Sequence, residues 1–180
     1  MPPRLLKRYR EEVVTQVQEK FGIKNPMAVP RLEKIVVNMG VGEAINDLKI
    51  MDVALADLTM ITGQKPMLRR AKKAISNFKL KIGQPVGCKV TLRRAKMYEF
   101  MDRLVNVAIP RVRDFNGVPK KAFDREGNYT LGITDQTIFP EVDTGKLQRT
   151  QGMDITFVFD HGPKEHTLEV LRLLGMPFSK

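Results

Sequence analysis

The chain has 180 residues, 42% hydrophobic and 28% charged, which is the balance of a folded domain with a core and excludes a disordered basic tail. Its single cysteine, Cys88, excludes an internal disulfide and a multi-cysteine zinc site, and the formal net charge of +11 calls for an acidic partner. The opening MPPRLLKRYREE lacks a signal-peptide apolar run and no apolar stretch is long enough to span a bilayer, so one soluble, cytoplasmic domain over residues 1–180, with no membrane partner, is expected.

In chain order, Leu6, Tyr9, Val13, Val17 and Phe21 recur at helical spacing and stop at Gly22, which predicts an amphipathic helix over residues 4–21. IVVNMG, Ile35 to Gly40, reads as a strand. GVGEA then follows as Gly40 to Ala44, but a dinucleotide fingerprint would need glycine at position 45, which is Ile45. Two readings of this turn stand: a plain strand-to-helix connection, and a backbone N–H site for an RNA phosphate. Leu48, Met51, Leu55, Leu58 and Ile61 predict a second helix closed by Gly63, and their spacing is that of core packing.

VGCKVTLR is the clearest strand. Val86, Cys88, Val90 and Leu92 alternate with Gly87, Lys89, Thr91 and Arg93, so one face is apolar and the other basic and polar. Met97, Phe100, Met101, Leu104 and Ala108 mark a third helix ending near Pro110; MDITFVF reads as another strand, and Leu168, Leu171 and Leu174 mark a last helix before Gly175. Residues 114–152, rich in glycine and with two prolines, show no long helical or strand period and read as a long partner-binding loop of mixed charge. The fold class is therefore α+β: a single domain with a largely antiparallel sheet, helices packed on one face, and the other face free.

Charge is concentrated in one window. Between Asp57 and Glu99 lie 41 residues with no acid and eleven cations, while the remaining 139 residues hold 20 cations against all 20 acids. Such a block repels itself and favours a polyanion opposite, which points to nucleic acid. If Val90 and Leu92 face the helices, Lys89, Thr91 and Arg93 face outward, and the register that buries Ile35, Val37 and Met39 sends Asn38 out with them. Amides, hydroxyls and cations on a sheet suit the shallow minor groove, ribose hydroxyls and phosphates of structured RNA. Within LRRAKKAISNFKLK, Lys72 and Lys73, then Lys79 and Lys81, flank a turn at AISNF, giving a basic hairpin over residues 72–84 with Ser76, Asn77 and Phe78 at its tip.

Catalysis has no candidate set. His161 and His166 are five residues apart and do not share a helical face, and Cys88 falls on the apolar face of its strand. No cofactor or metal site is expected, and the chain reads as a non-enzyme.

The runs AVPRLEKIVVNMGVGEA, ITGQKP, RAKKAISNFKLKIGQPVGCKVTLR, MYEFMDRLVNVAIPRVRDF, GNYTLGI, IFPE, GMDIT and GMPF resemble the bacterial form of ribosomal protein five of the large subunit, the 5S rRNA-binding family, in order along nearly the whole chain. The resemblance implies a structural protein that attaches 5S rRNA to 23S rRNA in the central protuberance, among other large-subunit proteins there. It also implies that the protein approaches the P-site tRNA and bridges to ribosomal protein thirteen of the small subunit. Carried over by motif, Asn38, Gln64 and Thr91 match the family's uncharged 5S contacts, with Lys65, Arg69, Lys89 and Arg93 beside them for phosphates. Lys72, Lys73, Ser76, Asn77, Phe78, Lys79 and Lys81 match its tRNA-proximal loop, and Arg113, Lys120, Lys121 and Arg125 its bridge to the small subunit. The chain departs from the family where Arg94 replaces a frequent glycine, Asn116 an arginine, and Arg125, Glu126 and Gly127 a Gly-Arg-Gly run. An extraribosomal RNA chaperone or regulator using the same sheet is the alternative of a different class.

Overall fold

The computed structural model describes residues 2–45, 47–142, 145 and 149–179. Among the described residues there are four helical stretches and five strands. In chain order they are α1 (residues 4–21), β1 (Leu32–Gly40), α2 (Leu48–Thr62), β2 (Met67–Arg70), β3 (Pro85–Leu92), α3 (residues 94–111), β4 (Tyr129–Ile133), β5 (Met153–Phe159) and α4 (Lys164–Leu173). The strands form one antiparallel sheet in the order β2-β3-β1-β5-β4, so the architecture is α+β.

The Cα positions divide into two compact units, one made of Met1–Ile35, Leu92–Leu131 and Thr156–Lys180, the other of Val36–Thr91 and Gly132–Ile155. The first unit carries α1, α3 and α4. Both α1 and α3 contain a π-helical turn, at Tyr9–Val13 and Leu104–Ala108, and α3 ends in a 3-10 turn at Ile109–Arg111, where Pro110 cannot continue the α-helical ladder. Arg4 at the start of α1 reaches Asp102 of α3 at 2.7 Å, and Lys20 near its end reaches Glu169 of α4 at 2.7 Å. Buried Leu5, Val13, Val17, Met101, Leu104, Val170 and Leu171 supply this unit's apolar contacts.

The second unit carries α2, β2 and β3. Asp47 caps α2 by accepting from the Lys49 amide at 2.9 Å, and Gly63 closes the helix at φ 64, a left-handed conformation that costs glycine nothing. Ile35, Val37 and Met39 of β1 and Cys88, Val90 and Leu92 of β3 are buried, as their alternation predicts. One position of β3 departs from that pattern. Val86 is only half-buried and Gly87 is buried, because Gly87 lies against β1: a Cβ there would sit 2.5 Å from the Met39 carbonyl oxygen.

The expectation of an irregular loop over residues 114–152 needs correction. Strand β4 and a 3-10 turn at Gln136–Ile138 lie inside it, and Val118 is buried and bridged to Phe178. Asp124 accepts from the amides of Glu126 and Asn128 at 3.0 and 2.7 Å, pinning the turn that leads into β4. Positions 143, 144 and 146–148 of that segment lie outside the described residues.

Two measurements follow from β3. Gly87→Ala should lower unfolding free energy by about 1–3 kcal/mol in a urea titration, since backbone and not a flexible side chain blocks the added methyl. Burial pushes the Cys88 thiol up to about 11, so a thiol reagent at neutral pH should label it only as fast as the protein opens.

Candidate nucleic-acid interface

Pairing between β2 and β3 sets which side chains share the outward face. Met67 lies opposite Lys89, Leu68 opposite Cys88 and Arg69 opposite Gly87. Cross-strand partners point the same way, so the face opposite buried Cys88 presents Met67, Arg69, Lys89 and Thr91. Arg69 is exposed, and Lys89 and Thr91 are half-buried. On β1, half-buried Asn38 alternates with buried Val37 and Met39 and so takes the outward direction.

Strand β2 has no periodic signature in the sequence: MLRR is four residues long with two adjacent arginines and no alternation. The register shifts between Arg69 and Arg70, and this lets the chain leave the sheet as a hairpin. The hairpin is closed at its base by Ala71 N donating to Gln84 O at 2.8 Å and Gly83 N to Ala71 O at 3.0 Å. Side chains lock the same corner: Arg70 donates to the Gly83 carbonyl at 2.9 Å, and the Gln84 Oε1 accepts from Lys81 N at 2.7 Å. Further out, Ile75 bridges to Leu80, and the tip is a 3-10 turn at Ser76–Phe78 followed by Lys79 at φ 51. Lys72, Lys73, Ser76, Asn77, Lys79 and Lys81 are all exposed, and Phe78 is 70% exposed, so it is no packing anchor in the free chain.

Of the eleven cations in the acid-free window, all but half-buried Lys89 are exposed. None forms an ion pair among the described residues, whereas Arg4, Lys7, Arg8, Lys20, Lys34, Arg149 and Arg172 elsewhere do. Of the two acids that bound the window, Asp57 is buried on α2, where burial raises its pKa against a hydrogen bond with the Gln136 side chain, and Glu99 is exposed on α3; no ion pair among the described residues joins either to a cation of the window. The positive charge is thus left without an internal counterion.

Asn38, Gln64, Lys65, Arg69, Lys89 and Thr91 all lie in the second unit. Arg93 belongs to the first, exposed immediately before α3. Arg113, Lys120, Lys121 and Arg125 are also in the first unit and exposed, distributed over the chain between α3 and β4. Gln64 differs from the other two uncharged residues. Its Nε2 donates to the Thr91 carbonyl at 3.3 Å, so part of its amide is engaged within the chain. The turn at Gly42–Ile45 is a single 3-10 turn, too short to present the aligned amides of a helix N-terminus to a phosphate. Among the described residues no group of three or more His, Cys, Asp and Glu is placed to hold a metal, and no helix is long and apolar enough to cross a membrane.

Comparison with known proteins converges on one family. Residues 25–81 match the model described as ribosomal protein L5, and residues 85–178 match the ribosomal L5P family C-terminus. Proteins called large ribosomal subunit protein uL5 from Clostridium acetobutylicum and Clostridium botulinum are each 55% identical to this chain over 180 residues, covering all of both chains.

The Gln64–Thr91 contact makes Gln64 partly structural. Gln64→Ala should therefore cost about 0.5–1.5 kcal/mol of stability by chemical denaturation even with no ligand present, while Thr91→Ala, which keeps the carbonyl, should cost less.

Proposed function

This chain belongs to the ribosomal protein L5 family, a structural and non-enzymatic constituent of the large ribosomal subunit, and from that premise we propose that it binds 5S rRNA and attaches it to 23S rRNA in the central protuberance. The observation that carries the reading is the outward face of β1, β2 and β3, where unpaired cations stand beside uncharged hydrogen-bonding groups. Lys65, Arg69, Lys89 and Arg93 take phosphates, which position an RNA without reading it. Asn38, Gln64 and Thr91 take ribose hydroxyls and base edges, which discriminate a folded RNA from a random one.

The hairpin of residues 72–84 is proposed to reach the P-site tRNA. Cations on both arms provide attraction to phosphate, and exposed Phe78 offers a ring that a base can stack on. The mixed charges of Arg113, Lys120, Lys121 and Arg125, near Asp124 and Glu126, suit a protein surface better than a bare phosphate backbone, and these residues are proposed to meet ribosomal protein thirteen of the small subunit. Other proteins of the central protuberance would be neighbours in this assembly.

Two experiments test these assignments. Against 5S rRNA and an unrelated structured RNA in parallel, Asn38→Ala and Thr91→Ala should each weaken only the 5S complex, by about 1–3 kcal/mol; the double change Arg69→Ala with Lys89→Ala should weaken both and flatten the dependence of log affinity on log salt by roughly 0.7–0.9 per contact. Equal losses on both RNAs in the uncharged variants would remove those residues from recognition. Deleting Ala74 to Phe78 should spare 5S affinity yet lower filter retention of P-site tRNA on ribosomes carrying the shortened protein. Undiminished retention would overturn the hairpin's assignment.

A further inference from the structure

The hairpin of residues 72–84 leaves the sheet through one corner, and Gln84 takes part in three of the hydrogen bonds that close it. Its carbonyl accepts from Ala71 N at 2.8 Å, its amide donates to the Lys81 carbonyl at 3.3 Å, and its side-chain Oε1 accepts from Lys81 N at 2.7 Å. Both backbone polar groups of Lys81 are therefore satisfied by the residue that ends the turn, which has Gly83 at φ 84 as its third position. Gln84 is itself fixed from behind. Pro85 is buried and lies opposite Arg70 in the sheet register, and a proline restricts the residue before it to extended backbone. Arg70 donates to the Gly83 carbonyl at 2.9 Å, so its guanidinium is committed in part to the same corner.

The arms beyond the corner carry charge that works against it. Lys72 and Lys73 on one arm and Lys79 and Lys81 on the other are exposed, no acid lies among them, and like charges on facing arms favour splaying. The arms bond again at Ile75 and Leu80, with Ile75 N donating to Leu80 O at 3.0 Å and Leu80 N to Ile75 O at 3.1 Å. The chain from Ala71 to Ile75 spans at most roughly 14 Å, so a loose corner would spread the tip at Ser76–Phe78 over several ångströms. Phe78, 70% exposed, gains no anchorage from the core. A carboxylate at position 84 could accept the Lys81 bond, but it would place an acid inside the acid-free window. Glutamine supplies the same oxygen without the charge.

We infer that Gln84 is the positioning residue of the hairpin: by holding Lys81 through its side-chain oxygen it fixes the direction of the tip, and it raises affinity for the tip's partner by ordering the arms before binding. The inference rests on the reading that the hairpin meets the P-site tRNA, and on none of the residues assigned to 5S rRNA.

The test uses ribosomes carrying full-length variants and reads the rate at which P-site tRNA dissociates across a salt series. Hydrogen exchange at the Lys81 amide and 5S rRNA affinity are measured on the free protein. Gln84→Met keeps the length of the side chain and removes the acceptor. It should speed both Lys81 exchange and tRNA dissociation by about three- to tenfold, the loss of one hydrogen bond, while the salt dependence and 5S affinity hold because no phosphate contact is removed. Gln84→Glu keeps the acceptor, so it should retain slow exchange at Lys81 and, at the high-salt end where its charge is screened, wild-type dissociation. Gln84→Glu at least as impaired as Gln84→Met at every salt concentration would mean that the amide itself contacts RNA, and overturns the inference. Loss of 5S affinity in Gln84→Met also overturns it, since the residue would then support the fold at large. So does wild-type dissociation of Gln84→Met where deletion of Ala74 to Phe78 accelerates it, an outcome that leaves the hairpin's assignment standing. If the deletion and Gln84→Met are both without effect, that assignment fails and the inference fails with it.

Discussion

The two-residue period of β3 is the constraint on which the interface depends. Cys88, Val90 and Leu92 are buried to within 2% of full exclusion from solvent, so the strand cannot slip by one residue without turning three apolar side chains outward. That same register fixes Lys89 and Thr91 on the opposite face. Antiparallel pairing then transmits the choice to β2, where Arg69 and Met67 must share the direction of Gly87 and Lys89. Burial of small apolar residues on one side thereby positions polar and cationic groups on the other without any dedicated hydrogen bond to hold them.

Electrostatics makes this arrangement incomplete without a partner. Eleven cations over 41 residues with no carboxylate among them repel one another, and none of them is paired among the described residues. An acid placed among them would relieve the repulsion in the free protein and compete with a phosphate in the bound one. The hairpin tolerates its charge because local bonds fix it: the Gln84 side chain and the Arg70 guanidinium hold the corner, and two backbone bonds at Ala71 hold its base. Its tip carries no apolar burial at all, so it can meet a partner without disturbing the sheet.

Much of the fold was legible in the sequence because it is periodic. Helix α1 over residues 4–21 and helix α2 ending at Gly63 follow from apolar spacing and a glycine stop, and the buried faces of β1 and β3 follow from alternation. Strands β2 and β4 were hidden for different reasons. MLRR has no alternation to detect, and YTLGI is too short for a period to stand out within a glycine-rich segment. Local sequence also carries no sign of the Gln64 bond to the Thr91 carbonyl or of the close approach of Gly87 to Met39, since both join residues far apart in the chain. The site residues on regular strands were accessible to reasoning from pattern.

The central claim is that the outward face of β3 and its neighbours meets 5S rRNA. Lysine acetylation footprinting of the full-length protein, with and without 5S rRNA, tests it most directly because the lysines report their own occlusion. Bound RNA should protect Lys65 and Lys89 while Lys7, on the α1 surface and opposite Glu11, stays as reactive as in the free protein. Uniform protection of all lysines, or protection of Lys7 with Lys65 and Lys89 still reactive, would contradict the account.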